Sequence, residues 1–270
     1  MAQYRNRTEL VTELTAQGLK LPLSENIQVL QKPLLLRGKS LANRIAVQPM
    51  EGCDGTADGK PGELTLRRYD RFASGGAGLL WFEAVAVMEE GRANPRQLMI
   101  TENSLDSLKR VTARIKEIGM RENGYEPLII MQATHSGWYS KPQGTPSPII
   151  ASNNPLIEKD TPLPPSCIIT DDHIREIVEC FGSAAKMAER AGFDGIDIKS
   201  CHGYLGCELL SAYQRSGAYG GSFENRTRFL REGIANATAS TTSNFLVTSR
   251  LNIYDGLPYP HGFGVTPQGN

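Results

Sequence analysis

Nine polar side chains sit at the ends of short apolar runs, where a folded chain would gather them. Glu51 and Cys53 follow RIAVQPM, and Glu83 lies in LLWFEAVAV. Gln132 and His135 end LIIMQATH, Lys199, His202 and Tyr204 follow GIDI, and Arg250 closes FLVTSR. In a βα barrel the strand C-termini carry the chemistry, so these residue types would supply anion stabilisation, carbonyl polarisation and proton transfer in one mouth. Lys199 also admits a second chemistry, because a buried amine at a strand end can act as a Schiff-base nucleophile, as in a lyase or aldolase. Metal chemistry is not indicated. Cys53, Cys167, Cys180, Cys201 and Cys207 are odd in number and form no CxxC pair, which argues equally against a disulfide framework.

The elements that would position these groups are five candidate strands, Arg44–Pro49, Leu79–Val87, Leu128–Gln132, Gly195–Lys199 and Phe245–Leu251. Each is nearly continuous in apolar residues, as strands covered on both faces are. Helical periods fall between them at Thr65–Ser74, Leu105–Arg121, Asp172–Ala191 and Phe223–Thr238. Alternation of this kind calls for a parallel α/β sheet, and the wide spacing of strand starts for a βα barrel with long loops. Residues 28–45 read as a hairpin ahead of the first unit. Residues 135–172 hold seven of the 16 prolines with no apolar period, so they read as a long loop at the barrel mouth rather than a linker. A (β/α)₈ barrel needs eight units and the chain reaches about five. The expectation is therefore one domain, 1–270, forming a truncated TIM barrel whose native gene continues for roughly another hundred residues or more.

Composition limits the partners. The 29 basic and 29 acidic side chains cancel, which disfavours nucleic acid and anionic membrane surfaces as the main target. No apolar run reaches the roughly 18 residues of a bilayer span and no signal-like segment opens the chain, so a cytoplasmic setting and a small-molecule substrate are expected. A homo-oligomer is left open.

The segments NRIAVQPM, GLLWFEAVAV with EGR, IIMQATHSGW, AGFDGIDIKSCHGYL, YGGSFENRTRFLRE and TSR occur in that order. Together they resemble the old yellow enzyme family of FMN-dependent NADH or NADPH oxidoreductases, which includes ene-reductases. The resemblance implies that Pro49, Met50, Glu51 and Ala84 edge the flavin ring, that Gln132 bonds its pyrimidine side, and that Arg250 lies near N1 and C2. Hydride uptake leaves negative charge there, which a guanidinium stabilises. It further implies that His202 and Lys199 hold the carbonyl oxygen of an α,β-unsaturated substrate, an oxyanion-type role. Tyr204 matches the phenol that protonates the α-carbon, and an ordinary phenol pKa near 10 keeps it protonated.

Each role has a plainer counterpart: an ion pair for Arg250, a loop-fixing amide for Gln132, a helix cap or core position for His202, and packing for Tyr204. Two residues depart from the family pattern. Lys199 stands where members usually carry a second histidine, and Glu51 where they usually carry Thr or Cys. Both are costly to bury alone, so they are expected to pair across the mouth. An inactive truncated fragment is the remaining alternative.

Overall fold

A computed structural model of the protein describes residues 4–24, 26–159 and 162–268. Its centre is a sheet of five parallel strands in chain order, β3 (Ala46–Val47), β4 (Leu79–Ala86), β5 (Leu128–Thr134), β6 (Gly195–Ile198) and β7 (Leu246–Thr248). The sheet is open: β3 and β7 each pair on one side only, and the barrel is not closed among the described residues. The two edge strands are accordingly the shortest, against the longer runs read from sequence. A small antiparallel hairpin, β1 (Leu34–Leu36) and β2 (Lys39–Leu41), precedes the sheet.

Helices α2 (Glu63–Ser74), α3 (Glu102–Asn123), α5 (Asp171–Arg190) and α8 (Arg228–Ala239) follow successive strands. Helix α3 is set by a capping box at Thr101 and Ser104 and stopped by Gly124 at φ 78°, where a side chain would strain the backbone. Shorter pieces complete the path: α1 (Arg7–Ala16), α4 (Pro155–Glu158), α6 (Leu205–Leu210) and α7 (Phe223–Arg226). The single helix read at 223–238 is broken at Thr227, which ends α7 and begins α8.

Strand period decides what faces the helices and what faces the concave side of the sheet. Leu80, Phe82, Ile129, Met131, Ile196 and Ile198 join Leu108, Ile115, Ile177, Phe181 and Phe229 in the main core. Their alternates Leu79, Leu128, Ile130 and Leu246 form a second cluster with Trp81 and the hairpin residues Leu34 and Leu41. Continued along the strands, the same alternation places Gln132, Asp197, Lys199 and Arg250 on the concave side. A register shift between Phe82 and Ala84 lets β4 keep step, so Ala84, Gln132, Asp197 and Thr248 form one cross-strand row. Inward-facing rows of this kind are the layers that fill a βα barrel. No helix among the described residues is long and apolar enough to cross a membrane.

Candidate active site at the strand C-termini

Four side chains from three loops meet above β6. The Tyr204 hydroxyl donates to Glu51 Oε2 at 2.7 Å. Lys199 Nζ lies 3.8 Å from the same oxygen and 3.6 Å from the centre of the Tyr204 ring. Gln97 Nε2 donates to Glu51 Oε1 at 2.7 Å and so fixes the carboxylate from the other side. The expected pairing of the two departures is thus present, with Tyr204 as a third member.

Burial sets the electrostatics. The Lys199 side chain is 2% exposed, and burial pushes its pKa down while Glu51 pulls it back. Burial, and then the Glu51 carboxylate, push the Tyr204 phenol well above its ordinary value. It is firmly protonated, and a weaker acid than a free tyrosine. His202 is lowered by burial and by the charges of Lys199 and Arg250, which keeps its imidazole neutral at pH 7. Its backbone adopts φ 64°, an unusual conformation for a histidine and one that recurs at functional sites. Gly137, at φ 59°, lets the loop after β5 approach the start of α6, where any Cβ would meet the Leu205 backbone. That contact seats the turn carrying His202 and Tyr204.

The second group lies deeper. Gln132 Nε2 donates to Asp197 Oδ2 at 2.6 Å, and Trp81 Nε1 donates to the same atom at 3.2 Å. Asp197 Oδ1 is buried with no hydrogen-bond partner among the described residues. Burial raises the Asp197 pKa against the opposing bond from Gln132. One N–H of the Gln132 amide is thereby committed to Asp197. Arg250 reaches from the end of β7 toward the Pro49 carbonyl at 3.5 Å and forms no ion pair among the described residues. An unneutralised guanidinium and a buried amide on one concave face fit the polar edge of a flavin ring. Pro49 is buried, Met50 is 63% exposed, and Ala84 is fully packed in the row described above.

Three residues from the strand-end inventory serve elsewhere. Glu83 pairs with Arg68 and accepts from the Gly52 N–H at 3.0 Å, so it anchors the loop that carries Glu51. His135 is buried, accepts from the Gly137 N–H at 3.2 Å and lies 3.5 Å from Glu90. Cys53 accepts from Asn94 at 2.9 Å, and burial with the Glu51 charge raises its pKa, so it is held as a thiol. All five cysteines are free.

Sequence reasoning missed Gln97, Asp197 and Trp81. Gln97 lies in a stretch without period, yet Arg92 of the EGR segment holds it: Arg92 Nη2 donates to Gln97 O at 2.8 Å and to Pro95 O at 2.6 Å. Asp197 carried a usable signal, since in GIDIK it shares a face with Lys199 two residues on.

Residues 29–261 match the NADH:flavin oxidoreductase / NADH oxidase family. An NADPH dehydrogenase of Clostridium acetobutylicum is 32% identical over 86% of this chain and 65% of its own length. One from Geobacillus sp. (strain WCH70) is 36% identical over 76% of this chain and 58% of its own. Among solved structures, morphinone reductase in complex with tetrahydroNAD aligns with a TM-score of 0.68 at 27% identity, over 82% of this chain and 63% of that one. Old Yellow Enzyme from Pichia sp. AKU4542 aligns with a TM-score of 0.70 at 25% identity, over 83% and 59%. This chain thus spans less than two thirds of the length of these relatives. Its six ordered motifs, its parallel strands and these matches agree, and the chain belongs to the NADH:flavin oxidoreductase / NADH oxidase family.

Proposed function

We propose that this chain carries the strand-end machinery of an FMN-dependent NAD(P)H oxidoreductase that reduces α,β-unsaturated carbonyls or similar electron-poor acceptors. The observation that carries the reading is the convergence of Lys199 and Tyr204 on Glu51 at the concave rim, with His202 on the same loop and the unpaired Arg250 at the end of the neighbouring strand. The NADPH dehydrogenase relatives and the nicotinamide analogue bound to morphinone reductase support a nicotinamide reductant. When bound, FMN supplies hydride transfer. The protein groups do the rest: Arg250 and Gln132 hold the polar edge of the ring, and Lys199 with His202 polarises the acceptor's carbonyl oxygen. Tyr204 holds the proton destined for the α-carbon, and the Lys199 ammonium against its ring stabilises the phenolate left behind. Schiff-base chemistry would need a neutral amine at Lys199, whereas the Glu51 carboxylate at 3.8 Å and the Tyr204 ring at 3.6 Å both favour the ammonium that polarises a carbonyl oxygen.

Tyr204→Phe separates the two half-reactions. NADPH should bleach the flavin at the wild-type rate, while reoxidation by 2-cyclohexenone slows about a hundred-fold, the low end for a lost general acid. Equal slowing of both steps in stopped flow would remove Tyr204 from that role. Arg250→Ala should weaken FMN binding about ten-fold or lower the flavin's midpoint potential. Unchanged values for both would place Arg250 outside the site.

A further inference from the structure

A cavity of about 340 Å³ adjoins His202, at the lower end of the size of small-molecule sites. Its walls come from the loop after β5, from α6 and from the stretch after β7. Trp138 and Tyr139 supply aromatic surface, and among the described residues the lining holds two carboxylates, Glu208 and Asp255, and two imidazoles, His202 and His261, with no lysine or arginine.

Among the described residues neither carboxylate has a cationic partner, and Glu208 accepts from the backbone N–H groups of Trp138 and Ala151, each at 2.9 Å. Asp255 accepts from Asn252, Cys207, Ser211 and the Phe263 N–H, all neutral donors. The nearby Glu158 is likewise bound only by neutral donors. Arg215, which bonds the Ala151 carbonyl next to the N–H that Glu208 accepts, is committed there and to Asp171. Burial, with a contribution from Glu158, raises the Glu208 pKa to about 7. Carboxylates withdrawn from water without a counter-charge are costly, and a cation brought by a ligand offsets that cost. Aromatic faces beside them favour the same charge.

We propose that this cavity is a substrate subsite for a ring-sized cationic group, an organic ammonium, attached to the acceptor whose unsaturated carbonyl lies at His202 and Lys199. The subsite rests on the reading of the function given above, and it would exclude acceptors with carboxylate or phosphate tails.

Three probes of equal size test it without any turnover: benzylammonium, benzyl alcohol and benzoate, titrated calorimetrically against the purified chain. Benzylammonium should bind about ten-fold tighter than benzyl alcohol, and benzoate more weakly than either. Glu208→Gln and Asp255→Asn should each lower benzylammonium affinity several-fold and leave benzyl alcohol unchanged. Because Asp255 also ties down the stretch after β7, a melting curve accompanies that variant, and Glu208→Gln decides if Asp255→Asn unfolds. Benzoate binding as tightly as benzylammonium, no detectable benzylammonium binding, or an unaltered preference in Glu208→Gln would overturn the subsite. A final arm compares enones bearing ammonium or hydroxyl tails on FMN-loaded protein. Turnover without charge preference defeats the subsite alone, whereas charge-selective probe binding without any enone turnover defeats the oxidoreductase reading and the link to it.

Discussion

Glu51→Gln is expected to cost about 2–3 kcal/mol of stability at neutral pH and to return most of it as the pH rises toward 10. Lys199 is almost fully buried, and Glu51 is the acidic group that lies within 4 Å of its ammonium among the described residues. Removing one member of a buried pair leaves the other charge uncompensated, which costs more than the pair itself contributes. The sign follows from linkage. Burial lowers the folded-state pKa of Lys199, so the unfolded chain binds more protons between that value and the ordinary lysine range, and stability rises with pH across the interval. Glu51→Gln lowers the folded value further and deepens the deficit at pH 7. Once the lysine is neutral in both folded proteins the deficit closes, because the unfolded chains titrate alike. Urea denaturation of both proteins at pH 7 and 9.5 measures this, and a deficit that does not change with pH would mean the pair is not electrostatically coupled. Lys199→Met in the Glu51→Gln background should recover about 1 kcal/mol or more relative to additivity.

The same pair shows what the sequence made legible and what it hid. The apolar runs GIDIK and FLVTSR put Lys199 and Arg250 at strand C-terminal ends before any contact was known, and the strand period then sets both on one face. The ordered motifs pointed to the family, and two residues out of pattern pointed to each other. Gln97 was hidden because it reaches Glu51 across 46 residues of chain, from a loop whose path is set by Arg92 bonds to carbonyl oxygens rather than by any period. Helix α1 was hidden because it buries no residue and so shows no apolar face. The break at Thr227 left no mark either, since α7 and α8 continue one periodic run. Glu83 and His135 show the opposite error. Strand ends collect structural anchors as well as reactive groups, and residue type alone does not separate a carboxylate bound to Arg68 from one bound to Tyr204.

Arg68→Met should lower stability by about 3 kcal/mol at pH 7.5 and by less near pH 4. Arg68 bridges two carboxylates: Asp54 accepts from its Nη1 at 2.5 Å, and Glu83 pairs with its Nη2. Glu83 is 1% exposed, so its charge relies on this guanidinium and on the Gly52 N–H. In the intact protein burial works to raise the Asp54 pKa, but the bonds from Arg68 and Thr65 outweigh it and the pKa is lowered. Its contribution is present above the ordinary aspartate range and lost as the pH falls through the folded value. Glu83 runs the other way: burial raises its pKa despite Arg68, so its contribution is complete below the ordinary glutamate range and is lost as the pH rises through the folded value. Without Arg68 both folded values rise, and two buried carboxyls must either stay charged and unpaired or bind protons. The Glu83 part of that penalty closes once the pH falls below its raised folded value, the Asp54 part closes only below its lowered folded value, and both grow as the pH rises toward neutrality. Midpoints of urea denaturation across this range measure it. A loss independent of pH would assign the effect to packing of the arginine stem instead. The consequence reaches the mouth of the sheet, because Glu83 fixes Gly52 and Arg68 fixes Asp54 on the loop that presents Glu51 to Tyr204. Arg68→Met should therefore also bring the Tyr204 pKa back toward its ordinary value, read as phenolate absorbance at high pH, whereas a purely local loss of stability would leave that titration unmoved.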